Sequence, residues 1–116
     1  MKRIYICHPY SADPVGNTDR IRAICQRVVD LGCNPIAPQL SLPQFLDEGT
    51  QREAALALCL DLVETCNELW SIHPGQRSPG TLSAGQALEV DKANGCGIPV
   101  IYFYERKDGS WECVRG

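Results

Sequence analysis

The 116-residue chain is long enough to bury a real core and too short for two, so one domain over residues 1–116 is expected. With 44% hydrophobic and 22% charged residues, it has the composition of a soluble globular protein. A net charge of -3 without clustered Lys or Arg argues against a nucleic-acid polymer as partner, and no apolar run approaches the length of a membrane span.

The start, "MKRIYICHPY", is basic but turns polar too soon for a signal peptide. Seven cysteines, an odd number without a C-x-x-C pair, read as reduced, mostly buried thiols in a cytoplasmic protein. Neither a metal nor a cofactor is expected.

Arg3 to Cys7 is β-branched and aromatic, and the prolines and glycine after it stop any regular element, which predicts a strand feeding a loop from His8 to Gly16. From Asn17 as N-cap, Ile21, Ile24, Cys25, Val28, Val29 and Leu31 recur at helical spacing, and Gly32 closes the helix. "CNPIAPQL" predicts a short strand ending at Pro38, and "SLPQFLDEG" a connection holding a helical turn. Thr50 and Glu53 fit the capping-box pattern ahead of the helix "QREAALALCLDLVETC".

"NELWSI" predicts a third strand, and "HPGQRSPGTL" an open, mobile loop. Ser83 and Gln86 form a second capping box, Asn94 and Gly95 supply the stop, and "IPVIYFY" predicts the fourth strand. Asp108-Gly109 reads as a hairpin turn into a last antiparallel edge strand around Trp111.

Alternating strands and helices predict an α/β three-layer sandwich, Rossmann- or flavodoxin-like, with a mostly parallel sheet and an antiparallel C-terminal edge strand. Ligands in such sheets bind beyond the carboxyl ends of the strands, where the loops at His8 to Gly16, Pro38 to Gly49 and His73 to Leu82 meet. There Ser83 caps a helix whose free N–H groups could hold a phosphate. Gly85, poor in a helix interior, lies one turn before Glu89 on nearly the same face and opens space beside that carboxylate.

A lone helical glutamate is ordinarily solvated surface, so Glu89 carries function only with partners. Tyr5 could reach it from the first strand or simply fill the core. His8, where that strand enters its loop, reads as a ligand contact or a structural histidine. Asp61, late in the second long helix, reads as a second carboxylate or as surface.

These residues resemble the nucleoside 2-deoxyribosyltransferase-like superfamily. The likeness is greatest to its 2'-deoxynucleoside 5'-monophosphate N-glycosidases and the small phage and bacterial domains of unknown function related to them. "IYIC" and a loop are followed by the pattern S-x-G-x-x-x-E-x-x-x-A and G-x-P-V, met by Ser83, Gly85, Glu89, Ala93, Gly97, Pro99 and Val100.

The resemblance implies that Glu89 attacks C1' of a nucleoside or nucleotide sugar, expelling the base and leaving a glycosyl-enzyme ester for water or a second base to resolve. It implies that Tyr5 positions the carboxylate and that Ser83 helps bind the 5'-phosphate, in a homo-oligomer. His8 and Pro9 stand where phosphate-binding relatives carry Gly-Ser. Cys59 stands where an acid should protonate the leaving base, and Asp61 is offset from it by two residues. The alternative reading is a non-catalytic, defence-related protein that senses or sequesters a nucleotide-derived signal.

Overall fold

The computed structural model describes residues 1–9, 14–47, 49–75 and 82–115. In chain order these form β1 (Arg3–Cys7), α1 (Pro14–Asp30), β2 (Asn34–Ile36) and two 3-10 turns, Pro38–Leu40 and Leu42–Gln44. There follow α2 (Arg52–Glu64), β3 (Glu68–His73), α3 (Ala84–Gly95), β4 (Val100–Glu105) and β5 (Trp111–Arg115).

The strands lie in the order β2-β1-β3-β4-β5. The first three pairings are parallel, and β5 returns antiparallel on β4, the expected mostly parallel sheet with an antiparallel edge. Helices cover both faces, and the period-two alternation of strand side chains decides which residue meets which helix. Ile4 and Ile6 of β1 pack with Ile21 and Val28 of α1. Tyr5 and Cys7 turn the other way, toward Val63 of α2 and Val90 and Ala93 of α3.

Several boundaries differ from expectation, each for a local reason. α1 opens at Pro14 rather than after Asn17, because proline's fixed φ suits a first helical turn and its missing N–H would have no partner there. Asn17 is buried inside the helix and accepts from Arg20 Nη1 at 2.8 Å. Gly32 takes a φ of 78° just past the helix, as its role as terminator requires. β2 ends at Ile36, and Pro38 opens a 3-10 turn instead.

Thr50 does not cap α2. The N-cap is Gln51, without a side-chain cap bond, because Asp47 organises this turn. Its carboxylate accepts from Gly49 N at 2.8 Å, its carbonyl accepts from Gln51 N at 2.7 Å, and its own N–H donates to Gln51 Oε1 at 2.9 Å. α3 carries the predicted capping box, with Ser83 and Gln86 bonded reciprocally. Its terminating glycine is Gly97, with φ 70°, where Ile98 N reaches back to the Ala93 carbonyl at 2.9 Å. Part of each of the three loops expected at the strand ends, including most of the loop after β3, lies outside the described residues.

Candidate active site

On α3 the buried residues are Gln86, Glu89, Val90 and Ala93, the i, i+3, i+4, i+7 spacing of a helix face turned to a core. Glu89 therefore belongs to the sheet-facing stripe and is only 7% exposed. Directly beneath it, β1 presents Tyr5 and Cys7. The Tyr5 hydroxyl donates to Glu89 Oε2, and the Cys7 thiol approaches Oε1 at 3.8 Å, within the reach of a weak sulfur donor.

Burial pushes the Glu89 carboxyl from its ordinary 4.5 up to about 7, against the Tyr5 and Cys7 hydrogen bonds, which pull it down. Burial, and then the neighbouring carboxylate, drive Tyr5 and Cys7 well above their usual values, so both remain protonated donors. The arrangement is a carboxylate held from below by two neutral donors, with a proton affinity close to neutrality.

Above it opens a cavity of about 300 Å³ whose wall includes Glu89, His8, Pro9, Ser83 and Gly85. Five of the seven residues singled out from the sequence thus share one wall, and Tyr5 joins them through its bond to Glu89. Asp61 does not: it is exposed, outside the cavity lining, and close enough to Lys92 on the outer side of α3 to favour that ammonium. The residue of α2 that does line the cavity is Cys59. Two residues along a helix turn the side chain about 200°, which carries Asp61 away.

At the N-terminus of α3, Ser83 Oγ accepts from Gln86 N at 3.2 Å. That leaves the N–H groups of Ala84 and Gly85, both at the cavity, without acceptors inside the helix. A Cβ added at Gly85 would meet nothing within 4 Å, so the space beside Glu89 is open. The Gln86 side chain locks this helix end to the sheet, donating to the Ile72 carbonyl at 2.9 Å and the Cys7 carbonyl at 3.4 Å.

The sequence reading missed Gln39, Leu42 and Arg52, which also line the cavity. Arg52 opens α2, where a cation opposes the helix dipole, and it makes no ion pair among the described residues. A charge placed against its helix dipole, after a loop already assigned to the ligand end of the sheet, was the available signal. Among the described lining residues Glu89 is the only carboxylate, and no group of three or more His, Cys, Asp and Glu is placed to hold a metal.

The family model of a domain of unknown function, DUF7768, matches residues 2–103. No curated protein matches the chain. Among solved structures, a 2-deoxyribosyltransferase from the psychrotolerant bacterium Bacillus psychrosaccharolyticus is similar with a TM-score of 0.70 and 18% identity, over 90% of this chain and 74% of that one. A 2-desoxiribosyltransferase from Leishmania mexicana is similar with a TM-score of 0.65 and 19% identity, over 97% of this chain and 79% of that one. At such identities the likeness establishes a 2-deoxyribosyltransferase-like fold and nothing finer.

Proposed function

The chain belongs to the DUF7768 family, and from the Glu89 cavity we propose that it is a nucleoside or nucleotide N-glycosidase or deoxyribosyltransferase. The observation that carries this reading is the Glu89 carboxylate, buried at a cavity wall and held by the Tyr5 hydroxyl. It agrees with the fold shared with 2-deoxyribosyltransferases.

In this reading Glu89 attacks C1' of the bound sugar. The C1'–N bond breaks as the carboxylate oxygen bonds to C1', and the electron pair leaves with the base. Water or a second base then releases the sugar from the ester. Tyr5 orients the attacking oxygen, and the carboxylate stabilises the positive charge that develops at C1'. Arg52, Ser83 and the first-turn N–H groups of α3 suit a 5'-phosphate. The working form is a cytoplasmic homo-oligomer, which sedimentation tests.

The lining favours one second reading. With Glu89 its only described carboxylate and Cys59 where an acid is expected, the base must leave without the protonation that contributes about 10²- to 10⁴-fold in glycosyl transfer. A protein that holds a nucleotide-derived signal without cleaving it would need no such acid. Incubation with a panel of deoxynucleosides and deoxynucleotides, read by mass spectrometry for products and for retained ligand, separates the two. The enzyme reading expects free base, lost in Glu89→Gln with the fold intact; intact ligand recovered from both proteins selects the binder.

A further inference from the structure

Two buried side-chain atoms, on residues of the cavity lining, have no hydrogen-bond partner among the described residues: Nε2 of His8 and Oε1 of Gln39. Both residues line the cavity, and His8 is only 3% exposed. The bonds around them fix which atom each leaves over. His8 Nδ1 lies 2.6 Å from the Pro9 carbonyl oxygen, which can only accept, so Nδ1 carries the proton and Nε2 of the neutral ring is a bare lone pair.

Burial, the largest influence on this imidazole, lowers its pKa and keeps it neutral. Gln39 donates its amide nitrogen to the His8 carbonyl at 3.2 Å, so the atom left unclaimed is the amide oxygen, again an acceptor. Buried acceptors left unpaired are costly to a folded protein. Two of them, on residues joined by a hydrogen bond, point to a ligand that supplies the missing donors.

We infer that His8 and Gln39 form a paired-acceptor subsite that takes a ligand group carrying two hydrogen-bond donors, an aromatic amine or a cis-diol. The inference rests on the cavity being a nucleoside or nucleotide site, where the amine belongs to a base and the cis-diol to a ribose, since a 2-deoxyribose carries none. It also divides the cavity by polarity. An ionised phosphate carries acceptors alone and is excluded from His8 and Gln39, so it belongs with Arg52 and the N–H groups of Ala84 and Gly85.

The test uses wild-type protein with ¹⁵N-labelled histidine, the His8 signals being those absent from His8→Gln. In the free protein His8 Nε2 must resonate as a bare, pyridine-type nitrogen; a protonated Nε2 overturns the proposal. Two matched pairs of probes are then titrated, 2-aminopyrimidine against pyrimidine and cis-cyclopentane-1,2-diol against cyclopentanol. The expected result is that one donor-rich member moves the Nε2 resonance upfield and binds at least about tenfold more tightly than its counterpart.

Which pair responds says whether the subsite reads base or sugar. In Gln39→Met that preference falls to within about threefold. No response from either donor-rich probe, or a preference unchanged in Gln39→Met, overturns the inference. None of these probes carries a glycosidic bond or a phosphate. Failure of every nucleotide to bind or react would therefore sink the proposed function while leaving a positive result here standing.

Discussion

The Glu89 carboxyl is held by one hydroxyl and one thiol, and neither partner brings a positive charge to offset its burial. A carboxyl whose pKa rises from 4.5 to about 7 on folding binds its proton more tightly in the native state. Its contribution is favourable below pH 4.5 and is lost as pH climbs through about 7, by on the order of 3 kcal/mol. Glu89→Gln keeps an acceptor for Tyr5 and has no charge to desolvate. Its stability relative to wild type should therefore increase between pH 4.5 and pH 8 in parallel denaturant titrations; a pH-independent difference would contradict the assignment. Tyr5→Phe removes a donor to the charged form, so the Glu89 midpoint should rise by roughly one pH unit, read by carboxyl ¹³C NMR. Glu89 was legible through Gly85 one turn before it and the S-x-G-x-x-x-E pattern; that Gln86, Val90 and Ala93 bury its face of the helix emerged only from the structure. The Cys7 contact was not, since only the strand register sets a thiol under that carboxylate.

α3 is the element on which stability and proposed function pull apart. Ser83→Ala removes the Oγ acceptor of the capping box and keeps the backbone N–H that donates to Gln86 Oε1, and it should cost about 1 kcal/mol of unfolding free energy. Gly85→Ala should do the reverse, stabilising by up to about 1 kcal/mol, because the added methyl group meets nothing. The same methyl occupies the space beside Glu89, so calorimetry should find nucleotide binding weakened; unchanged affinity would place the ligand elsewhere. The capping box of α3 was readable because both partners lie within four residues. That of α2 was misread because T-x-x-E is satisfied by chance when a nearby carboxylate, Asp47, already holds the turn. Asp61 takes the surface alternative for a geometric reason: two residues along α2 from Cys59 is the other side of the helix.

At the scale of the molecule, the alternation of strands and helices and the hairpin signal at Asp108-Gly109 led to the sheet as it stands. The cavity was only half legible, because Gln39, Leu42, Arg52 and Glu89 are brought together by chain order in space, which local pattern does not encode. β1 supplies Ile4 and Ile6 to one hydrophobic layer and Tyr5 and Cys7 to the other, so neither layer outlives the loss of that strand. Urea unfolding followed by far-ultraviolet and near-ultraviolet dichroism should give one coincident transition, as a single domain requires; separated midpoints would divide it. All seven cysteines lie outside disulfides, and a reducing agent should leave that midpoint unchanged.

The two margins of the sheet are unequal. β2 is three residues long with Pro35 at its centre, a strand that offers few donors to a newcomer, whereas β5 runs for five residues from Trp111 to Arg115 with only β4 beside it among the described residues. Backbone recruitment of another extended segment is therefore polarised: the sheet can lengthen past β5 and is blunted at β2. Any strand-to-strand association this protein undergoes, whether ordered or aberrant, has one side from which to grow.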